Sequence, residues 1–344
     1  MYIDIRKYSI ALLKTMDSSQ WTYIPSFENL EKTSTLTRDD LRKINQVKGV
    51  FEAKTSGSTG EQVTVQKTID DAIWSDACNM RYFLWKKWDT SKSYALIKPI
   101  ADEAEYDSWN LPNEIFKNQG KFFINGMKPL PEIQKWLEEK NPHYIFTKPS
   151  LLKELDLSKI TNLIDTGSTG ENGGDMYSSE DCGVIAIQCP DNKDYFHVME
   201  NIIVETGKDG EAIITSMTNP YIKRYLIGDH LELGQCTCGR SLQSIKKILG
   251  RTRNMFVLPN GDKKWVILGS QSMYDKFGIK RYQAVQTDIE NLDMYIISDH
   301  LGELKEQELK AHMLKHIKST INIHIKYTDS FPNGKFEEFK SLIS

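Results

Sequence analysis

The pentapeptide Gly-Ser-Thr-Gly-Glu occurs twice in this chain, at residues 57–61 and 167–171. Glycine permits positive φ and close approach of backbone N–H groups, and Ser and Thr hydroxyls rotate to donate hydrogen bonds. Such a loop can wrap a phosphate, so both copies are candidate nucleotide loops. The alternative is a plain surface turn, which has the same composition. No Gly-Lys-Ser/Thr follows the glycines, and this excludes a Walker loop.

A second group of residues could bind a metal ion. Cys189 and His197 flank a predicted hairpin turn, and Cys236 and Cys238 form a Cys-Thr-Cys-Gly turn. Three thiolates and one imidazole are a ligand set that suits structural Zn²⁺ in a closed tetrahedron. The alternative is a set of ordinary buried thiols near a turn. Cys182 is a candidate substitute for one of these four ligands.

Composition limits the class of protein that carries these residues. The chain has 344 residues, of which 39% are hydrophobic, and this length predicts about two domains. The 44 Lys and Arg against 47 Asp and Glu give a net charge of −3, which predicts no binding to nucleic acid or to an anionic membrane. We expect no membrane insertion, because there is no long apolar run and no signal-peptide pattern. Five unevenly spaced cysteines favour reduced thiols, and we expect a cytoplasmic protein.

The elements around the second pentapeptide follow a β-α-β rhythm. The spacing of apolar residues predicts a core helix over residues 70–88, strands over 94–99 and 122–124, and a helix over 130–140. A strand over residues 162–167 leads directly into the second pentapeptide. Ligands gather at the carboxyl ends of strands in open α/β sheets, so a nucleotide would bind there.

The pattern changes after residue 184, where short alternating strands predict an antiparallel sheet. The last 90 or so residues predict a small α+β unit, with a helix over 303–318 between two strands. We therefore predict an α/β protein with mixed sheets in a large domain, residues 1–250, and a small mobile α+β domain, residues 251–344.

Six segments occur in the order found in one superfamily. They are Thr55-Ser-Gly-Ser-Thr-Gly60, Thr169-Gly-Glu171, Tyr177-Ser-Ser-Glu180, Arg224-Tyr-Leu-Ile-Gly-Asp229, Gly250-Arg251 and Gly334-Lys335. In these segments the chain resembles the adenylate-forming enzymes, and within them the phenylacetate-CoA ligase-like branch of the capsule-cluster type. Each segment alone is weak, and the order of all six is specific.

The resemblance implies ATP-dependent activation of a small carboxylic acid to an acyl-adenylate, followed by transfer to the thiol of CoA or of a phosphopantetheine carrier protein. It assigns the β- and γ-phosphates of ATP to the first loop, Thr55, Ser56, Gly57, Ser58, Thr59 and Gly60. It assigns the adenine to Thr169, Gly170, Glu171 and Tyr177, the α-phosphate to Ser179, Mg²⁺ to Glu180 and the ribose to Asp229 and Arg251. Lys335 is the implied catalytic lysine, and Arg253 or Asn254 is the implied hinge.

Relatives in that branch carry Cys and His residues placed like the four candidate zinc ligands. The chain departs from the family pattern at Glu61-Gln62, where Lys-Pro is frequent, and in the short segment between Glu171 and Tyr177. Two alternatives stay open: an acyl-protein synthetase, although no cysteine follows Cys238, and a nucleotide-binding relative without full catalysis. The sequence leaves the acid, the thiol acceptor and a homodimer open.

Overall fold

The computed structural model describes residues 9, 11–12, 33–44, 46–54, 63–98, 104–106, 109, 121–125, 128, 130–169, 174–251, 255–259, 261, 263–265, 276–279, 281–317, 320–329 and 339–342. The chain divides into two compact units, Met1–Leu249 and Gly250–Ser344. Each unit has its own hydrophobic core.

The first unit contains two capped helices on either side of an antiparallel pair of strands. Helix α1 (Arg38–Lys43) precedes the antiparallel strands β1 (Phe51–Lys54) and β2 (Thr64–Lys67), and helix α2 (Ile69–Trp85) follows. Thr68 starts α2 through a capping box, since its side chain accepts from the amide of Asp71 and its own amide donates to that carboxylate. Helix α2 ends at Trp85, and two residues later Lys87 has a φ of 54°, which lets the Trp88 amide bond back to the Phe83 carbonyl.

A mostly parallel sheet follows. Its strands are β3 (Tyr94–Lys98), β4 (Ala104–Tyr106), β5 (Lys121–Asn125), β6 (Tyr144–Thr147) and β7 (Asp165–Ser168), in the order β4-β5-β3-β6-β7 with β4 antiparallel. Helices α3 (Leu130–Lys140) and α4 (Pro149–Glu154) and a 3₁₀ turn (Leu157–Lys159) lie between these strands. The predicted β-α-β rhythm is therefore present.

The second sheet of this unit has seven strands and antiparallel pairing. They are β8 (Met176–Ser179), β9 (Gly183–Gln188), β10 (Phe196–Val198), β11 (Ile202–Thr206), β12 (Glu211–Ser216), β13 (Tyr225–Leu233) and β14 (Ser244–Arg251), in the order β11-β12-β13-β14-β10-β9-β8. A 3₁₀ turn, Lys208–Gly210, joins β11 and β12.

Strand alternation divides the core of the first unit into layers. On β3 and β6, Tyr94 and Tyr144 face α2, while Ala95 and Ile145 face α3 and α4. Helix α2 also contacts β9, so it lies between the two sheets. The other face of the antiparallel sheet packs on α1 and β2.

The second unit is an α+β sandwich. Strands β17 (Arg281–Gln286), β18 (Asn291–Ile297), β19 (Asn322–Tyr327) and β20 (Phe339–Ser341) form a sheet in the order β19-β18-β17-β20, and β15 (Met255–Val257) and β16 (Lys263–Trp265) form a hairpin. Helix α5 (Glu303–Ile317) buries Leu309, Met313 and Ile317, four residues apart, on this sheet. Within the residues that the structure describes, no helix is long and apolar enough to cross a membrane.

Candidate functional site

Two of the predicted nucleotide residues lie in direct contact. The Tyr177 hydroxyl on β8 donates to Asp229 Oδ2 on β13 across 2.6 Å, and both side chains are buried. Gly228 directly precedes Asp229 and has a φ of 84°, a value that glycine adopts without the penalty a side chain brings. The glycine in the Gly-Asp pair therefore sets the direction in which the Asp229 carboxylate points.

The carboxyl end of β7 meets β8 beside this pair. Thr169 forms a bridge with Met176, and its hydroxyl lies 2.8 Å from that of Ser178. The sequence reasoning missed Ser178, although it lies inside the Tyr177-Ser-Ser-Glu180 segment. Thr169, which directly follows β7, thus meets strand β8 of the second sheet at Met176 and Ser178, the two neighbours of Tyr177.

The turn after β8 carries Ser179 and Glu180. The Ser179 side chain accepts from the Cys182 amide at 3.0 Å, which fixes the turn, and Glu180 is exposed at its tip. An exposed carboxylate can bind a hard cation such as Mg²⁺ without first losing a protein partner.

A buried polar contact that the sequence did not indicate lies beneath this turn. The Tyr225 hydroxyl donates to Asp181 Oδ2 at 3.0 Å, and the Lys67 ammonium donates to the Asp181 carbonyl oxygen. Burial raises the pKa of Tyr225, and the neighbouring Asp181 raises it further. The phenol therefore stays a neutral donor over the physiological range.

An ionic network joins the end of α2 to the ends of β7 and β8. The Lys86 ammonium lies 2.9 Å from Asp165 Oδ2, 2.9 Å from Asp175 Oδ2 and 2.9 Å from the Thr166 carbonyl oxygen. Asp175 Oδ1 also accepts from the Tyr82 hydroxyl at 2.9 Å. A cavity of about 150 Å³ opens beside Lys86 and Asp175.

The charges of this network stabilise one another. Burial raises the pKa of Asp165, but hydrogen bonds from Trp88 and Lys86 outweigh it, so this pKa lies below its ordinary value. Burial lowers the pKa of Lys86, but Asp175 and then Asp165 outweigh it, so this pKa lies above its ordinary value. Both groups are charged at neutral pH.

Several predicted site residues lie outside the described residues. These are Thr55, Ser56, Gly57, Ser58, Thr59, Gly60, Gly170, Glu171, Arg253, Asn254 and Lys335. The backbone of Arg251 ends β14, and its side chain is outside the described part. Their roles in phosphate, adenine, ribose and catalytic contacts stay predictions.

The four candidate zinc ligands form one cluster. The Sγ atoms of Cys189, Cys236 and Cys238 and a ring nitrogen of His197 all lie within 4.8 Å of one another. His197 Nε2 lies 3.2 Å from Cys238 Sγ, and Cys236 Sγ lies 3.9 Å from Cys189 Sγ. Tetrahedral Zn²⁺ with thiolate and imidazole ligands sets such atoms about 3.5 to 3.8 Å apart. The donor set and its spacing therefore fit Zn²⁺, and Cys182 lies elsewhere, in the core against β2.

The sheet register assembles this cluster. The β9–β10 hairpin supplies Cys189 and His197, and the loop between β13 and β14 supplies Cys236 and Cys238. Strand β10 pairs with β14, with His197 opposite Ser244, whose hydroxyl accepts from the Cys236 amide at 3.0 Å. Pairing of these strands thus closes the four-ligand group.

The protonation states of the cluster also suit a metal. Burial lowers the pKa of His197 to about 4, with Arg240 adding to the effect, so the imidazole is neutral. Burial raises the pKa of Cys238, but hydrogen bonds from the Arg240 backbone and side chain outweigh it and lower that pKa overall. Burial raises the pKa of Cys236 to about 11, and a bound cation would have to displace its proton.

Trp85, at the end of α2, covers one side of the cluster. Its ring lies 5.9 Å from that of His197, and the guanidinium carbons of Arg81 and Arg240 lie 5.4 Å and 5.2 Å from it. The sequence predicted a core helix over residues 70–88, and Trp85 packs against the core of this unit. Its contact with the Cys/His cluster had no signal in the sequence.

No family model matches the chain, and no curated protein matches its sequence. Solved structures match its fold. A 2-hydroxyisobutyryl-CoA ligase in the postadenylation state, in complex with 2-HIB-AMP, aligns with a TM-score of 0.67 at 14% identity over 98% of this chain and 89% of that chain. An ATP-bound RpMatB–BxBclM chimera gives a TM-score of 0.54 at 11% identity over 84% of this chain and 66% of that chain.

A third match is the amide bond synthetase McbA from Marinactinospora thermotolerans. Its TM-score is 0.50 at 11% identity, over 80% of this chain and 64% of that chain. At these identities the matches show the fold alone. The chain has the fold of the adenylate-forming ligases, and the predicted fold class is confirmed.

Proposed function

We propose that this chain is an ATP- and Mg²⁺-dependent ligase that activates a carboxylic acid as an acyl-adenylate and passes the acyl group to a thiol. The observation that carries the proposal is the contact between Tyr177 and Asp229. It joins two of the proposed nucleotide-binding segments in a chain with the fold of the adenylate-forming ligases. The finer placement, in the phenylacetate-CoA ligase-like branch, rests on the order of the six sequence segments.

In the first half-reaction a carboxylate oxygen of the acid attacks the α-phosphorus of ATP, and the bond from that phosphorus to pyrophosphate breaks. The protein must hold the nucleotide and stabilise negative charge that develops on the phosphate oxygens. The proposed contacts are Thr55 to Gly60 with the β- and γ-phosphates, Thr169 to Glu171 and Tyr177 with the adenine, Ser179 and Lys335 with the α-phosphate, and Asp229 and Arg251 with the ribose.

Two metals have separate proposed roles. Glu180 would bind Mg²⁺ through hard carboxylate oxygens, and the cation would neutralise phosphate charge. Cys189, His197, Cys236 and Cys238 would bind Zn²⁺. Four protein ligands leave no open position, so this zinc would stabilise the fold and take no part in the reaction.

In the second half-reaction a thiolate sulfur attacks the acyl carbonyl carbon, and AMP leaves. CoA and a phosphopantetheine carrier protein are both suitable acceptors, because they present the same thiol. We assign nucleotide and acid binding to residues 1–250 and the lysine of the first step, Lys335, to a mobile domain of residues 251–344.

The test is ATP–pyrophosphate exchange with a panel of aryl, fatty and amino acids. The intact protein should show exchange with at least one acid, and Lys335→Ala should lower the rate by roughly a hundredfold or more, as expected for a lost transition-state contact. Lys305→Ala, an exposed lysine on α5, is the matched control and should exchange normally.

The same preparation then identifies the acceptor. CoA, a phosphopantetheinylated carrier protein and free amines are supplied in turn, and AMP release is measured with the active acid. If AMP is released only when an amine is supplied, the second half-reaction forms an amide and not a thioester. An absence of exchange with every acid, together with identical behaviour of Lys335→Ala, would reject the ligase and leave a nucleotide-binding relative, which titration with MgATP would detect.

A further inference from the structure

Arg240 contacts the Cys/His cluster from the loop that carries two of its ligands. Its Nη1 atom donates to Cys189 Sγ at 4.0 Å, and its backbone amide and side chain both donate to the Cys238 thiol. Gly239, between Cys238 and Arg240, has a φ of 86°, and this left-handed backbone turns the Arg240 amide back toward Cys238. One residue thus donates to two of the proposed zinc ligands.

Backbone amides supply further donors to the same group of sulfur atoms. The Asn192 amide donates to Cys189 Sγ at 3.3 Å, and the Cys238 amide donates to the Cys236 thiol. Each of the three sulfur atoms therefore accepts from an amide two or three residues further along the chain. Such donors stabilise negative sulfur, and the thiolate is the form of cysteine that binds a metal. The loops are thus arranged to surround three thiolates.

The ligands alone would not balance the charge of a cluster that holds zinc. Three thiolates and a neutral imidazole around Zn²⁺ leave one net negative charge, and three of the four ligands are buried. Removal of a net charge from water is costly unless an opposite charge lies beside it. The guanidinium of Arg240, which is always protonated, is such a charge in contact with the sulfur atoms.

Asp191 holds this guanidinium in place without cancelling its charge. Arg240 Nη1 forms an ion pair with Asp191, whose side chain is 60% exposed. Water and salt screen an exposed charge far more than a buried one. Asp191 lies two residues after Cys189, so the ion pair also joins the two chain segments that supply the cysteines.

The guanidinium of Arg81 lies near the cluster too, but a buried carboxylate neutralises it. The guanidinium carbons of Arg240 and Arg81 lie 5.2 Å and 5.4 Å from the centre of the Trp85 ring. Arg81 donates to both carboxylate oxygens of Glu200 at 2.8 Å, and both side chains of this pair are buried. Of these two cations, Arg240 is therefore the one whose charge acts on the cluster.

We propose that Arg240 is the positioning residue of the zinc centre, where its guanidinium donates to Cys189 and Cys238 and balances the negative charge of the three thiolates. This inference rests on the proposed zinc site. The residues that hydrogen-bond to metal ligands typically change metal affinity by roughly 10- to 100-fold. Arg240 should therefore determine how tightly the chain holds Zn²⁺.

The first experiment measures the zinc affinity of the full chain by competition with a chromophoric chelator. Arg240→Gln should weaken binding by roughly 10- to 100-fold, because the charge and the planar fork are both lost. Arg240→Lys should lie between this variant and the parent, because an ammonium keeps only the charge. Asp191→Asn should stay within about fivefold of the parent, since an exposed ion pair contributes little.

Lys246→Gln is the matched control. Lys246 on β14 pairs with Glu232 on β13 at 2.8 Å, so this variant also removes an ion pair beside the loop of Arg240. The pair includes none of the four ligands. Its loss should change zinc affinity by less than about twofold.

Co²⁺ in place of Zn²⁺ gives a readout at the sulfur atoms themselves. The thiolate-to-metal charge-transfer bands move to longer wavelength when a donor to sulfur is removed, because the sulfur lone pairs rise in energy. Arg240→Gln should show this shift, and Lys246→Gln should not. A residue that only ties the two loops together would change the affinity without shifting the bands.

The outcomes separate Arg240 from the zinc site itself. Equal zinc affinity in Arg240→Gln and the parent would overturn the role of Arg240, and so would an equal loss in Lys246→Gln or a loss without a band shift. If Arg240→Gln does not fold, Arg240→Lys decides: shifted bands support the proposal, and bands and affinity equal to those of the parent overturn it. A parent chain that takes up neither Zn²⁺ nor Co²⁺ would overturn the zinc site and this inference together, whereas pyrophosphate exchange tests the ligase separately.

Discussion

The Tyr177 hydroxyl lies 2.6 Å from Asp229 Oδ2, and it links the edge strand β8 to the interior strand β13 of the antiparallel sheet. A carboxylate has about four lone-pair sites, so one phenol can orient it and leave acceptor sites for other donors. In the proposed ligase this contact would orient Asp229 toward the ribose hydroxyls. It would also make the adenine and ribose subsites depend on each other.

Replacement of Tyr177 by Phe tests this dependence. The variant keeps the ring in the core and removes only the donor to Asp229, so we expect a loss of about 1 to 3 kcal/mol in the free energy of unfolding. We also expect the KM for ATP to rise roughly tenfold, because Asp229 loses its orientation. Urea unfolding and the kinetics of pyrophosphate exchange measure the two effects.

Tyr225→Phe is the control for that variant. It removes a comparable buried hydrogen bond, to Asp181, and should lower stability by a similar amount with little change in the KM for ATP. A KM for ATP that is unchanged in Tyr177→Phe would show that Asp229 acts independently of Tyr177.

The Cys/His cluster predicts one Zn²⁺ per chain in protein purified without chelators. Cys238→Ser should lose the metal and lower Tm by roughly 5 to 10 °C, because a structural zinc contributes folding free energy directly. Cys182→Ser is the matched variant, since this buried thiol lies outside the cluster. Elemental analysis measures the zinc content of the two variants, and thermal melts measure their Tm. Stoichiometric zinc in Cys238→Ser would disprove the ligand set.

The sequence predicted those parts of the structure that depend on local pattern. Helix α3, for example, spans the predicted residues 130–140. The Cys/His group was predictable because the ligands lie in two short segments of distinctive composition. Periodicity also shows which face of a strand is buried.

Contacts between distant segments could not be predicted in this way. Tyr82 and Asp175 are 93 residues apart, and Tyr177 and Asp229 are 52 apart. An apolar pattern marks Tyr82 as buried, but it does not say which polar atom the hydroxyl reaches. That partner depends on how α2 packs between the two sheets and on the space left by Gly167.

A buried ion pair outside the proposed nucleotide site offers a test of how charges contribute to the stability of the core. Arg81 on α2 donates to both carboxylate oxygens of Glu200 at 2.8 Å, and the two side chains are 1% and 3% exposed. Arg81→Met should cost about 3 to 5 kcal/mol in the free energy of unfolding, because Glu200 keeps a buried charge without its partner. The double variant Arg81→Met, Glu200→Leu should recover most of that loss. Urea unfolding measures the free energy of unfolding of both variants. If the double variant is no more stable than Arg81→Met, the loss of stability comes from a packing defect and not from the unpaired charge of Glu200.

The pH dependence of stability should reflect Asp165. Its pKa in the folded protein lies below the ordinary value of 3.8, so the unfolded chain binds more protons than the folded protein as the pH falls toward and through that value. The stabilisation is complete above this range and disappears as the pH drops through the folded pKa. Asp165→Asn should therefore lower Tm at pH 6, and its difference from the parent should shrink as the pH falls below 3.8.

Thermal melts from pH 6 to pH 3 test this, with Asp194→Asn as the control for loss of an exposed acid. The control curve should run parallel to that of the parent. A difference between Asp165→Asn and the parent that stays constant with pH would contradict a contribution from the ionised carboxylate.

Gly228→Ala separates backbone conformation from side-chain packing at the site. Gly228 has a φ of 84°, and a Cβ atom there would meet nothing within 4 Å, so the only cost is the strained backbone, about 1 to 2 kcal/mol. Relief of that strain would rotate the Asp229 carboxylate away from Tyr177, and we expect the KM for ATP to rise roughly tenfold. Gly302→Ala, with a φ of 78° and equally open space, is the matched control in the second unit. Both variants should lose similar stability in urea, and only Gly228→Ala should lose nucleotide affinity, because only this glycine precedes a residue of the proposed site.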